Sequence, residues 1–408
     1  MARYPHDVDA PRLATDRGIR VGAGLSTQSD ALMAARSALD SALASLDGAA
    51  PDLVCLFVAP QFESEQRAIL DLAAHRTGGA TILGCSAGGV IGGAVEVEDA
   101  PAVSVWAAKL PGASLRPFRL TFEREDEHAV IEGLDEMPPA GDNPALLLFA
   151  DGYSFPADLL LDHLNQKAPR IPVVGGMASG GLEAGRNALF LDGDVFHDGA
   201  VGAVLTGPVA ARAFVSQGCR PVGETYAVTR SERNVIFELG GEPALRRVEE
   251  LFAAASPRDQ LLMRRGLHVG QAINELKPEL RRGDFLIRNV VGIDQNSGAI
   301  AIADMVEVGQ TVQFQVRDAE SAREDLKVAL ERERASDDRP VAGVLLFSCN
   351  GRGQALFGQP SHDIGAVKRA FGNVPVAGFF AAGEFGPVGD RNFLHGFTAS
   401  MLVLRRDS

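Results

Sequence analysis

Lysine is nearly missing from this sequence: five residues, against 34 arginines and 53 acids, in a chain of net charge −14. No window gathers the cations into the basic patch that phosphate neutralisation requires, which excludes nucleic acid as a partner. Acidity of this size confers solubility rather than a binding preference. No run approaches the roughly 20 apolar residues that cross a bilayer, so no membrane partner is expected. The first twenty residues carry Asp7, Asp9 and Asp16 where a signal peptide would need an apolar stretch. Cysteine is scarce as well: four, at 55, 85, 219 and 349, without Cys-x-x-Cys spacing. That excludes a disulfide framework and a zinc site, and the expected compartment is the cytoplasm with its thiols reduced. A phosphate-cradling Gly-x-x-x-x-Gly-Lys loop is absent, and no His/Asp/Glu cluster has metal-ligand spacing, so no cofactor is expected.

What is present is a six-residue rhythm, Gly-x-x-Ala-x-Gly, used three times: Gly84 to Gly89, Gly175 to Gly180 and Gly378 to Gly383. Each copy ends the same kind of unit. An apolar strand opens it (53–58, 145–150 and 343–348, containing Phe57, Phe149 and Phe347). A polar turn, an amphipathic helix and a second strand follow. The pattern predicts an internal repeat, and the unit rather than any single residue is where function is sought.

After each of the first two units the alternation predicts strands rather than helices: 90–97, 102–107 and 114–122, then 188–191, 195–197, 200–206 and 210–217. The expected fold is therefore α/β and two-lobed, with mixed sheets of βαβ units followed by antiparallel meanders and helices flanking the sheets. Residues 1–17 read as a disordered lead-in, 18–217 as one domain and 218–408 as a second. Near the start, Thr27-x-x-Asp30 predicts a helix-capping pair. Leu32, Ala35, Leu39, Leu43 and Leu46 predict a buried helical stripe.

Gly84-Cys85-Ser86-Ala87-Gly88 matches the Gly-x-Ser-x-Gly of a hydrolase elbow, but a helix must follow that serine and Val90 to Val95 reads as strand or turn. Gly22-Ala23-Gly24 between strand and helix lacks the third glycine and the ribose-binding acid of a dinucleotide site. Ser348-Cys349-Asn350-Gly351-Arg352 is more informative. It sets a thiol, an amide and a guanidinium in one glycine-containing turn, where Arg352 can hold a carboxylate bidentately and Asn350 can orient it. The bland alternative pairs Arg352 structurally with an acid such as Glu384. Glu384 sits in apolar surroundings, so it must be paired or line a pocket. His395 and Thr398 on the last strand can face the same place.

These residues carry a family resemblance. Gly84-Cys85-Ser86 with Gly89, Phe347-Ser348-Cys349-x-Gly351-Arg352, and Gly378-Phe379 through Gly383-Glu384-x-Gly386-Pro387 resemble the FIST proteins, built of FIST N and FIST C domains. The stretches 234–245, 283–288 and 309–318 resemble later parts of FIST C. The resemblance covers nearly everything from residue 18 onward, with 18–217 as the FIST N-like and 218–408 as the FIST C-like part. It implies an intracellular sensory module for small molecules such as amino acids, found beside signal-transduction domains in bacteria and used for recognition in a eukaryotic F-box protein. With no kinase, chemoreceptor or F-box segment here, output is expected to pass through an unidentified protein partner. Where the family often has an acid after the first motif, this sequence has Val90.

The leading expectation is a binding protein for an amino-acid-like or carboxylate ligand. Its expected site comprises Cys85, Ser86, Ser348, Cys349, Asn350, Gly351, Arg352, Gly383, Glu384 and Thr398, with no catalytic residue assigned. Two alternatives stay open: a cysteine enzyme for acyl transfer or hydrolysis using Cys349 or Cys85, whose base is missing from the neighbouring sequence unless the fold brings His395 near, and an interaction scaffold whose glycine turns serve packing alone.

Overall fold

A computed structural model describes residues 18–125, 128–133 and 143–406. The lead-in expected over 1–17 lies outside the described residues. Three segments share an order of elements, except that the second has a strand where the others have their first helix. The first runs β1 (Arg20–Ser26), α1 (Ala31–Ala44), β2 (Leu53–Val58), a 3-10 turn (Pro60–Glu65), α2 (Gln66–Thr77) and β3 (Thr81–Ser86). It closes with β4 (Gly89–Gly92), β5 (Val95–Glu98) and β6 (Val103–Lys109). The second runs β7 (Ser114–Glu125), β8 (His128–Glu132), β9 (Ala145–Ala150), α3 (Ala157–Lys167) and β10 (Val173–Met177). Then come β11 (Leu189–Leu191), β12 (Asp194–Phe196) and β13 (Ala200–Thr206).

The third segment opens with β14 (Ala210–Gln217) and is then interrupted. The interruption holds β15 (Cys219–Glu232), β16 (Val235–Leu239), β17 (Glu242–Pro243), α4 (Ala244–Ala254) and α5 (Pro257–Arg265). It continues through β18 (Leu267–Ala272), β19 (Phe285–Asp294), β20 (Ala299–Ile302) and β21 (Thr311–Arg317). The segment resumes with α6 (Ala319–Ser336), β22 (Val341–Cys349), α7 (Gln354–Phe357), α8 (His362–Phe371) and β23 (Val376–Ala381). It finishes with β24 (Glu384–Val388), β25 (Arg391–His395) and β26 (Thr398–Arg405).

Each segment contributes the centre of one sheet, and the sheet orders are β1-β6-β2-β3-β11-β12, β8-β7-β13-β9-β10-β24-β25 and β14-β26-β22-β23-β4-β5. The parallel pairs β2/β3, β9/β10 and β22/β23 sit in the middle. A hairpin then covers the outer strand of each pair, and it always comes from another segment. β11–β12 completes the first sheet, β24–β25 the second and β4–β5 the third. The exchange is cyclic. It pairs strand edges that would otherwise be open. These are mixed sheets flanked by helices, an α/β fold.

The placement of the glycine rhythm has a packing cause. A β-carbon on Gly84, Gly175 or Gly378 would collide with the carbonyl oxygen of Leu56, Leu148 or Leu346 on the neighbouring parallel strand. β2 and β9 are buried along their whole length, which is why they read as unbroken apolar runs. Phe57, Phe149 and Phe347 meet in one core where the three sheets face each other. Their ring centroids are 5.5 to 6.2 Å apart, and Phe379 packs within 5.0 to 5.7 Å of all three.

The interrupting residues form a fourth sheet, β15-β21-β18-β19-β20-β16-β17, with α4 and α5 on its own core around Phe314 and Val316. The domain boundary expected at 217/218 falls inside the third segment. β14 pairs with β26, and the pairings β10/β24 and β4/β23 also bridge the two halves.

Two local expectations are corrected. Asp30 is itself the N-cap of α1, accepting a hydrogen bond from the Met33 amide at 2.8 Å, so Thr27 is not needed. The buried stripe of α1 is Ala31, Ala34, Ala35, Ala38, Leu39 and Ala42, while Leu32 is exposed. The reason is close approach: β-carbons on Gly22 and Gly24 would strike the Ala42 and Ala38 carbonyls, so the helix lies almost on the strand backbone and only small side chains fit between.

Candidate functional site

The C-terminal ends of β9, β10, β22 and β23 converge. Ala178 donates to the Ala150 carbonyl at 2.8 Å and Asn350 to the Ala381 carbonyl at 2.9 Å. Met177 donates to the Gly383 carbonyl at 2.8 Å and Ala382 returns a bond to Met177 at 3.1 Å. The first segment joins them, since the Gly88 amide donates to Ser179 Oγ at 3.0 Å while that hydroxyl donates to the Phe380 carbonyl. The fourth sheet closes over this junction with Ile287, Arg288 and Asn289 of β19. Between them lies a cleft of about 480 Å³, lined among others by Tyr153, Ser179, Arg288, Cys349, Asn350 and Gly383. It stands at strand C-termini between two packed bodies, where α/β proteins commonly bind ligands.

Of the ten residues expected at the site, Cys349, Asn350 and Gly383 line this cleft, and Gly351 lines the chamber behind it. Ser348, Arg352, Glu384 and Thr398 form a layer directly beneath, each almost completely buried. Cys85 and Ser86 are elsewhere. Cys85 belongs to the shared core of the three sheets. Ser86 accepts the Ala188 amide on its hydroxyl and the Ser179 and Gly180 amides on its carbonyl, shaping the second glycine turn from behind. Position explains the difference: Cys85, like Phe379 at the same place in the third rhythm, belongs to that shared core.

Arg352 does not reach the cleft with its guanidinium. It is fully buried, and Nε and Nη2 donate to Asp363 at 2.8 and 3.0 Å. Asp363 also accepts from Ser348 Oγ at 2.7 Å and contacts His362 Nδ1 at 2.9 Å. Burial alone would raise the Asp363 carboxyl. The Arg352 charge and these bonds outweigh it and hold the group well below the usual carboxylate range. The partner of Arg352 is therefore Asp363, not Glu384, and Nη1 is left without a hydrogen-bond partner among the described residues.

Glu384 is the less satisfied group. Its Oε2 accepts from the Thr398 amide at 3.1 Å and hydroxyl at 2.7 Å, while Oε1 has no hydrogen-bond partner among the described residues. Burial, offset only in part by Thr398, pushes it up to about 8. At neutral pH it is mostly protonated. The folded chain then holds a proton that the unfolded chain, titrating near 4.5, has released. The stabilisation is fully present below that unfolded value and is lost as pH rises towards about 8. Glu384→Gln keeps an acceptor for Thr398. It is expected to flatten the fall in stability between neutrality and about pH 8, by at most ~1.4 kcal/mol per pH unit. Urea titrations of both proteins across that range check this. Glu96, raised to about 7 by burial and Asp363, titrates in both proteins and drops out of the difference.

Burial, with Glu384 adding to it, pushes the Cys349 thiol up to about 12, and burial raises Cys85 as well. His395 lines the cleft, but its Nε2 is bound to the Gly386 carbonyl at 3.0 Å and burial lowers it to about 4. Both cysteines are thus held as thiols, and the acid beside Cys349, Glu384, is itself mostly protonated at neutral pH. Among the described residues no group of three or more His, Cys, Asp or Glu could hold a metal ion, and no helix is long and apolar enough to cross a membrane.

Several residues of the site were not expected from the sequence. Asp363 begins α8 and looks like an ordinary first-turn acid. Ser179 sits inside the second glycine rhythm and links all three turns. Phe397 closes the back of the cleft with φ +64°, a left-handed conformation uncommon for an aromatic residue. Arg317, at the end of β21, bonds the Gly351 carbonyl and lies over the Phe397 ring. Ser179 and Arg317 fell in stretches already singled out, the second glycine rhythm and 309–318.

Comparison with known proteins follows the same outline. The family description "FIST N domain" matches residues 52–242 and "FIST C domain" matches residues 244–387. Uncharacterized protein Rv0628c of Mycobacterium tuberculosis is 44% identical over 385 residues, covering 94% of this chain and 99% of that protein. Uncharacterized protein Mb0898c of Mycobacterium bovis is 41% identical over 389 residues, covering 95% of this chain and 100% of the relative.

Proposed function

We propose, from the premise that this chain belongs to the FIST family, that it is a sensory protein binding a small amino-acid-like or carboxylate ligand in the cleft of about 480 Å³. FIST domains are associated with sensory signal transduction. The observation that carries the reading is the meeting of three turns from three chain segments under a wall supplied by the fourth sheet. The Asn350 side chain, exposed and without a hydrogen-bond partner among the described residues, offers donors and an acceptor at its mouth. Ligand in the cleft would touch both bodies at once. Its binding energy would therefore bias how the fourth sheet seats on the three-sheet body, and an unidentified protein partner would read that seating.

Such a ligand stabilises the folded chain by mass action, about 2.7 kcal/mol at a hundred times its dissociation constant. Thermal unfolding against the twenty amino acids and a set of mono- and dicarboxylates is expected to show an upward shift with at least one. Asn350→Ala should remove that shift while leaving the unliganded midpoint in place. A panel without any shift would overturn the reading.

A further inference from the structure

Behind Phe397 lies a second and larger chamber, about 980 Å³, sharing only Phe397 and Asn289 with the first cleft. Its walls come from α5, β18 and β19 of the fourth sheet, the first turn of α6, and the turn after β22. The chamber is cationic. Arg264 and Arg265 end α5, Arg317 ends β21, and Arg323 projects from α6. Among the described residues none of these four has a carboxylate partner. Arg317 and Arg323 bond the neutral carbonyls of Gly351 and Phe357, and Arg264 lies over the Phe252 ring. The two acids in the wall are already occupied: Asp318 by Arg220 and Arg258, and Glu320 by Arg258. Four uncompensated guanidiniums around one cavity stand out in a chain of net charge −14.

An independent observation points into the same space. His268 is 95% buried, its relative exposure being 5%. Neither of its ring nitrogens has a hydrogen-bond partner of good geometry among the described residues, the Asn289 side chain beside it being too poorly aligned to count as one. Burial and Arg317 lower it to about 4, so at neutral pH it is an uncharged ring with one N–H and one lone pair. Phe397 packs against one side of that ring at 4.4 Å between centroids. Buried polar atoms in folded proteins normally find partners, and this one faces a cavity.

We infer that this chamber is a second binding site, for an organic anion carrying two or more negative charges. The arginines neutralise its charge, His268 supplies a hydrogen bond, and Leu262, Leu267, Val290 and Leu356 cover an apolar portion. Phosphate esters and polycarboxylates share this chemistry. Titration calorimetry of the full chain at low salt with ADP, pyrophosphate and citrate separates the two sources. At least one anion is expected to bind, with affinity falling as sodium chloride is raised. Arg264→Ala/Arg265→Ala alters two exposed side chains and should weaken binding at least tenfold without moving the thermal midpoint. His268→Gln should weaken it several-fold. Asn350→Ala should leave it unchanged, whereas the same variant abolishes binding in the first cleft, so the two readings fail separately. Absence of binding by all three anions, or affinity unaltered in the double arginine variant, overturns the second site.

Discussion

Replacing Arg352 with alanine is expected to destabilise the protein by about 3–5 kcal/mol, the range for removing one partner from a buried ion pair. The cost comes less from losing attraction than from what stays behind. Asp363 would remain in the interior with only Ser348 and His362 for company, below a turn that has lost its floor. Two features make the expectation specific. The pair is bidentate and completely enclosed, so solvent cannot replace the guanidinium. Conversely, Arg352→Met with Asp363→Leu removes both charges together and should recover much of the loss, because well-packed apolar replacements of buried pairs are often neutral or better. Urea denaturation of the two single variants and the double variant measures the coupling. If Arg352→Ala unfolded at the wild-type midpoint, the pair would be irrelevant to the fold and a direct role towards ligand would return.

The second large effect is expected at the phenylalanine cluster. Phe149→Ala should cost about 3–5 kcal/mol, and Phe57→Ala and Phe347→Ala a similar amount. All are fully buried, each meets the other two edge-on, and all three pack against Phe379. The informative part is the similarity. One ring comes from the central strand of each sheet, so truncating any one opens the same shared core. Denaturation with unchanged m-values would show a single cooperative unit. A loss confined to one variant, with the others near wild type, would mean that the sheets are held together by something else.

Much of this arrangement could be read from the residues. Unbroken apolar runs ending in glycine rhythms located β2/β3, β9/β10 and β22/β23, and alternation located the meanders. What alternation cannot state is which sheet a hairpin joins. β4–β5 lies beside β3 in sequence and on β23 in space, and nothing in Val90 to Val97 distinguishes those outcomes. The α1 stripe was misjudged because leucines outweigh alanines in any hydrophobic reading, whereas the strand glycines demanded small neighbours. At the site, the turn around Cys349 and Asn350 was legible from its composition. The burial of Arg352 was not, because its partner Asp363 is a common kind of helix-start acid. Cys85 was misplaced for a related reason. Its place in the first rhythm is that of Phe379 in the third, and both belong to the shared core.

The cyclic trading of hairpins has a consequence for how the protein is made. A ribosome releases β10 well before the strand that covers its edge, which begins at Glu384. β4–β5 likewise emerges long before β23 exists to receive it. Nascent chains therefore carry bare, apolar borders until the later strands emerge. Chaperone engagement, or slow maturation after release, is the natural companion of this topology. A stop codon anywhere ahead of the last hairpin would leave a product prone to clump rather than a smaller working protein.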